Sequence, residues 1–220
     1  MRPRPDLRLY AVLDPARSHG RPLADLATRA AKGGATFVQL RDKTSSTRTL
    51  VAEARAVGEA LAPFGVPLLI NDRVDVALAA GAAGVHVGQD DMTLSDARRL
   101  LGPDAIVGVT LHHAHEARQI EPGIADYAGL GPVYATASKD PGDPPLGPDG
   151  LARLISAVRA HLPGLPCCGI AGIDHANAPD VIAAGADGVA VISDLFMAND
   201  VEAAARRLRH AVDTALGNRS

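Results

Sequence analysis

Short apolar runs alternate along the chain with longer Ala-, Leu- and Arg-rich stretches in which apolar positions recur at helical spacing. The runs at Leu9–Leu13, Phe37–Leu40, Leu68–Ile70, Gly84–Val87, Ile106–Val109, Tyr127–Leu130, Pro166–Ile170 and Gly188–Ile192 predict eight buried strands. Helices are predicted between them, for example at Ser45–Leu61, Val74–Ala80, Leu94–Leu100 and Leu151–His161, and Val201–Leu216 follows the last strand. Strand followed by helix, eight times over, is the pattern of βα units on a parallel sheet. One junction occurs twice: Ala80 to Val87 and Ala184 to Val191 share a glycine that ends a helix and a second that starts a strand. Eight units in 220 residues lie near the lower end for a closed barrel. No Gly-rich dinucleotide fingerprint follows the first strand, which weighs against a doubly wound open sheet. The expected fold is therefore α/β, a single-domain (β/α)8 TIM barrel over residues 1–220. The stretch Asp140–Pro148, with four Pro and two Gly, is expected to be a flexible loop that closes over substrate rather than a domain linker.

Composition narrows the partners. A chain that is 47% hydrophobic and 21% charged can bury a sizeable core, and a formal charge of −3 with three Tyr, three Phe and no Trp lacks the basic and stacking surface of a nucleic-acid binder. Cys167 and Cys168 are adjacent in an apolar run; neighbours on a strand face opposite ways, so both are expected to be reduced and structural. The basic start, Met1 to Asp6, leads into a run too short and interrupted for a signal peptide or membrane span, so a cytoplasmic protein with no membrane partner is expected. The sequence leaves open whether the chain forms a homo-oligomer.

Polar clusters directly follow several strands. Gln39, Arg41 and Lys43 alternate at the end of the second run, so a period of two turns all three to one side, where they can converge on a polyanion. Asn71 and Asp72 follow the third run and Asp91 the fourth; two carboxylates from neighbouring loops suit Mg²⁺, which keeps several waters and shares substrate phosphate. The competing reading is helix capping, by Asp72 before Val74–Ala80 and by Asp91 before Leu94–Leu100. Later loops add Thr136, Ser138 and Lys139, then Gly169 to Gly172, then Ile192 and Ser193, and the last two loops of a barrel are where phosphate sites concentrate. The pattern implies a diphosphate and metal site early in the chain and a monophosphate site late.

Six motifs in order, Gln39 to Lys43, Asn71-Asp72, His86 to Asp91, Gly131 to Lys139, Gly169 to Ile173 and Val191 to Ser193, make nearly the whole chain resemble the thiamine phosphate synthase family. The resemblance implies a transferase that joins 4-amino-5-hydroxymethyl-2-methylpyrimidine diphosphate to a thiazole phosphate, releasing pyrophosphate, and CO₂ when the thiazole is carboxylated. It implies that Gln39, Arg41, Lys43, Asn71 and Lys139 hold the pyrimidine diphosphate, that Asp72 and Asp91 hold Mg²⁺, and that Thr110 lies near the pyrimidine. It places Thr136, Ala137 and Ser138 along the thiazole, with Gly172, Ile192 and Ser193 on its phosphate. Arg41, Lys43, Lys139 and Thr110 would be the catalytic set, and no protein nucleophile is needed.

Departures from the family pattern are Ala171 in place of a frequent Gly, Ala135 in place of Pro, hydroxyl exchanges at Thr110 and Ser138, and Asp194, a carboxylate beside the expected monophosphate site. His112, His113 and His115 cluster without an established zinc pattern. His112 aligns with a histidine of the sister thiazole tautomerases, the alternative function; a non-catalytic barrel that senses a phosphorylated metabolite is a third. His86 reads as a strand-end residue packed beneath the metal loop.

Overall fold

The computed structural model describes residues 4–136 and 144–218. Eight parallel strands close on themselves in sequence order, β1 (Leu9–Leu13), β2 (Phe37–Leu40), β3 (Leu68–Asn71), β4 (Gly84–Val87), β5 (Ile106–Leu111), β6 (Tyr127–Leu130), β7 (Cys167–Ile170) and β8 (Gly188–Val191), with β8 paired back to β1. Around them lie α1 (Leu23–Lys32), α2 (Thr47–Leu61), α3 (Val74–Ala80), α4 (Leu94–Leu101), the short α5 (Ala114–Ala117), α6 (Gly147–His161), α7 (Ala178–Ala183), α8 (Ser193–Phe196) and α9 (Val201–Gly217). This is the expected (β/α)8 barrel. No helix among the described residues is long and apolar enough to cross a membrane.

Strand alternation divides the core in two. Leu9, Ala11, Leu13, Val38, Leu40 and Cys167 face the helices, whereas Tyr10, Val12, Phe37, Leu69, Tyr127, Cys168 and Ala190 fill the interior of the barrel. The adjacent cysteines thus lie on opposite faces, both as free thiols, and burial pushes the Cys167 thiol up to about 12. At the repeated junction, Gly81 and Gly185 turn the chain at positive φ (69° and 110°). Gly84 and Gly188 start strands because a β-carbon there would stand 1.8 Å from the Ile106 carbonyl oxygen and 1.7 Å from that of Leu7.

A second device also occurs twice. Asp126, just before β6, accepts the Val107 N–H at 2.8 Å and pairs with Arg98 of α4 at 2.5 Å; Asp187, just before β8, accepts the Cys167 N–H at 2.9 Å and pairs with Arg159 of α6 at 2.9 Å. Each aspartate ties the start of one strand to its neighbour and to an outer helix, at the end of the barrel opposite the site.

Two helix starts depart from expectation. Helix α2 begins at Thr47 because Ser46 caps it, its hydroxyl accepting the Thr49 N–H. Helix α6 begins at Gly147, so Gly147 and Pro148 belong to a helix and not to the expected loop; proline is suited to the first turn, where its missing N–H has no partner to lose. The Leu146 and Gly147 N–H groups also bond the carbonyls of Pro132 and Val133, pinning this end of the segment to the loop after β6. Residues 140–143 of the expected loop lie outside the described residues.

Candidate active site

The site lies at the C-terminal ends of the strands, where residues from all eight strands, with the loops after most of them, surround one pocket with an empty volume of about 830 Å³, including solvent at its mouth. Of the residues expected there, Gln39, Arg41, Asn71, Thr110, Thr136, Gly172, Ile192 and Ser193 all line it. Ala137, Ser138 and Lys139 lie outside the described residues.

Gln39 reaches the pocket as an inward residue of β2. Strand β2 ends at Leu40, but the Arg41 N–H still bonds the Leu13 carbonyl at 2.9 Å, which carries the ladder one residue further. Asp14, at the end of β1 and nearly buried, accepts the Ala16 N–H with one oxygen and grips Arg41 Nη1 with the other at 2.5 Å. Asp14 went unnoticed in the sequence; its signal is a polar residue directly after a buried run, the same signal that marked Gln39 and Asn71.

Lys43 lies outside the pocket lining, at the rim, and its ammonium contacts the Asp72 carboxylate. Asp72 and Asp91 are close enough to share a hydrogen bond, so the three form one cluster beside the pocket. Burial and the neighbouring Asp91 hold the Asp72 carboxyl above its usual range, against the opposing pull of Lys43. For Asp91 burial acts in the same upward direction, but hydrogen bonds from Asp72 and the Gly88 N–H, with the charges of Lys43 and His86, hold it below its usual range. Neither aspartate caps a helix: Arg73 occupies the cap position of α3 with no side-chain bond, and Thr93 caps α4 through the Asp96 N–H. Asp72 moreover adopts φ 61°, a conformation an aspartate tolerates better than most residues but still holds at some cost.

Two carboxylates with no third His, Cys, Asp or Glu beside them among the described residues are a poor zinc set. They do fit a hard cation that fills its remaining positions with water and phosphate, and a dication between them would offset the burial and the mutual repulsion that raise the Asp72 carboxyl.

Across the mouth, Ala171 and Gly172 both take positive φ (78° and 67°), and Asn177 Nδ2 donates to the Gly172 carbonyl at 2.9 Å, fixing the turn. A β-carbon on Gly172 would stand 2.5 Å from the Ala135 carbonyl oxygen, so this glycine is required by close approach. Asp194 turns away from the pocket: its carboxylate accepts the His175 N–H at 3.3 Å and does not line the cavity beside Ser193.

His112 lines the pocket with Nδ1 2.6 Å from the Gly131 carbonyl; a carbonyl only accepts, so Nδ1 carries the proton. His113 and His115 are exposed and stack on one another, 5.5 Å between ring centroids. His86 corrects the sequence reading: it is an inward residue of β4, bonded to Tyr127 and Thr110 in the barrel interior rather than packed under the metal loop. With Tyr10 and Tyr127, it belongs to a buried polar set that the sequence did not reveal.

The sequence model of one family, described as thiamine monophosphate synthase, matches residues 9–195. A thiamine-phosphate synthase of Agrobacterium fabrum is 48% identical over 211 residues, covering 96% of each chain. One from Chloroflexus aurantiacus is 49% identical over 207 residues, covering 94% of this chain and 93% of its own. The solved structure of a thiamine phosphate pyrophosphorylase from Pyrococcus furiosus superposes with a TM-score of 0.84 at 33% identity, covering 97% of this chain and 99% of that one.

Proposed function

Because the chain belongs to the thiamine monophosphate synthase family and is a transferase acting on small molecules, we propose that its pocket joins 4-amino-5-hydroxymethyl-2-methylpyrimidine diphosphate to a thiazole phosphate, or to the carboxylated thiazole with loss of CO₂. The observation that carries this reading is the rim cluster of Lys43, Asp72 and Asp91 beside Arg41 and Asn71, with both aspartates spared from helix capping. In it, Asp72 and Asp91 hold Mg²⁺, which when bound supplies positive charge to the diphosphate.

Arg41, oriented by Asp14, and Lys43 neutralise the charge that grows on the diphosphate as its bond to the pyrimidine methylene breaks and the electron pair leaves with oxygen. Asn71 and Gln39 orient the same substrate from adjacent strands, with Thr110 facing its ring. The lone pair of the thiazole nitrogen then forms the new bond to the methylene carbon, so the second task of the protein is alignment. Thr136, Gly172, Ile192 and Ser193 line the part of the pocket assigned to the thiazole phosphate, and Asp194, turned to His175, leaves that part without a repelling carboxylate. The family resemblance adds Ala137 and Ser138 on the thiazole and Lys139 on the diphosphate.

The test is a coupling assay with purified protein, both substrates and Mg²⁺, reading thiamine phosphate by thiochrome fluorescence with an EDTA control. Metal-dependent product is expected with one or both thiazole forms; no product with either overturns the reading. His112→Ala should cost far less than Asp72→Ala, and the opposite order would favour a thiazole tautomerase with His112 as the base.

A further inference from the structure

The oxygen of Asp72 that suits a dication is also the one that Lys43 touches. The Lys43 ammonium contacts Asp72 Oδ2, and Asp91 is close enough to Asp72 to share a hydrogen bond with it. One member of the carboxylate pair is thus already matched with a positive charge. An ammonium and a dication on the same carboxylate repel one another at a separation where solvent screens them incompletely. The proposed reaction gives Lys43 a second anionic partner, the diphosphate, so its two roles are tied to one another.

Of this cluster, Lys43 is the member able to change partners. The backbone beside Asp72 is fixed, its N–H bonded to the His86 carbonyl at 2.8 Å, and Asp91 Oδ2 accepts the Gly88 N–H at 2.8 Å. The Asp72 side chain is only 15% exposed, whereas that of Lys43 is 52% exposed and carries its ammonium on a flexible four-carbon stem. Arg41, the other cation expected on the diphosphate, is held by Asp14 instead. Arg41 and Asn71, near neighbours in sequence of Lys43 and Asp72, both line the pocket, so the ammonium has only to pass from the rim to its edge.

We propose that Lys43 is an exchangeable counter-ion. Paired with Asp72 it opposes a dication arriving alone, and on passing to the diphosphate it opens Asp72 and Asp91 to the metal. The site therefore takes the metal and the diphosphate together in preference to either one alone. The coupling is reciprocal: each ion tightens the other through Lys43, in addition to their direct contact. This inference rests on the reading of Asp72 and Asp91 as the metal pair and of a diphosphate as the ligand beside them.

The test uses Mn²⁺, a hard dication that also takes carboxylate and water oxygens, with its unbound fraction counted by electron paramagnetic resonance. With no phosphate present, Lys43→Gln is expected to bind Mn²⁺ about tenfold more tightly than the wild type. Arg73→Gln is the control for charge alone, because Arg73 adjoins Asp72 in sequence while its guanidinium serves Asp75, at 2.6 Å, and Thr47, at 2.9 Å. Its loss should change Mn²⁺ affinity by under about threefold. Equal tightening in the two variants, or none in Lys43→Gln, overturns the proposal. Loss of structure cannot imitate the expected result, which is a gain of binding from a substitution at a half-exposed residue.

A second readout is the affinity for inorganic pyrophosphate, by calorimetry with and without saturating Mn²⁺. The gain that the metal confers should be about tenfold larger in the wild type than in Lys43→Gln, and equal gains overturn the exchange. Asp72→Asn separates the two levels of inference: added to Lys43→Gln, it should abolish the tightened Mn²⁺ binding. Mn²⁺ binding that survives it overturns the metal reading itself, whereas an Asp72-dependent site of equal affinity in the wild type and Lys43→Gln overturns the exchange alone.

Discussion

Asp14 holds Arg41 across two adjacent strand ends, carboxylate to guanidinium at 2.5 Å, while its other oxygen is fixed by the Ala16 N–H. An arginine meant to meet a diphosphate must keep its fork aimed at the pocket before substrate arrives, and Asp14 supplies that restraint. Asp14→Ala should lower kcat/KM for the pyrimidine diphosphate by about 10- to 100-fold, with a smaller effect on the KM of the thiazole phosphate. Steady-state kinetics with each substrate varied in turn decides it, and equal effects on both would mean a general loss of structure.

Under the proposed function, Asp72 places metal binding and stability in opposition. Its carboxyl is held above the usual range, so ionising it costs the folded state: the contribution is favourable below the unfolded value and is lost as pH rises through the folded one. Asp91, held below its usual range, contributes in the reverse sense and loses that contribution as pH falls. Asp72→Asn should therefore raise the metal-free Tm at neutral pH while cutting Mg²⁺-dependent activity by about 100-fold or more. Added Mg²⁺ should stabilise the wild type, by about 2.7 kcal/mol at a hundred times its Kd, and have little effect on the variant. Thermal melts with and without Mg²⁺ separate these outcomes; a lower metal-free Tm for the variant would contradict the account.

Ala171 occupies a backbone conformation, φ 78°, that a β-carbon disfavours, which accounts for the glycine common at this place in the family. Ala171→Gly removes about 1 kcal/mol of local strain but loosens the unfolded chain by a comparable amount, so stability should change by under about 1 kcal/mol. Ala171→Val should destabilise clearly and raise the KM of the thiazole phosphate. Denaturant melts and the thiazole phosphate saturation curve together test this.

Asp126 belongs to stability alone. Arg98 is mostly buried, and although it also donates to the carbonyls of Gly102, Ala105 and Ile124, Asp126 is its charge partner. Asp126→Ala would strand that cation and the Val107 N–H, costing about 3–5 kcal/mol. Urea unfolding should show the loss, while kcat/KM of the remaining folded protein stays within about twofold, because the pair lies at the far end of the barrel.

Local chemistry decided what was legible in the sequence. Strand alternation, capping residues and helix-ending glycines act over a few residues, so the eight βα units, the two-faced cysteines and the polar residues after several of the strands followed from the chain alone. The same locality explains the errors: Gly147 and Pro148 read as loop because composition does not show that the carbonyls of Pro132 and Val133 anchor the start of α6.

Tertiary structure decided which polar residues meet. Tyr10 and Tyr127 are 117 residues apart, and Arg41 and Asp14 are 27 apart; neither pairing has a period or a motif. Whether Asp72 and Asp91 cap helices or face one another also depended on the turns that gave the cap positions to Arg73 and Thr93. Barrel closure fixes these meetings, because strand register and the side to which each residue points determine what faces what across the interior, and closure is a property of all eight strands together.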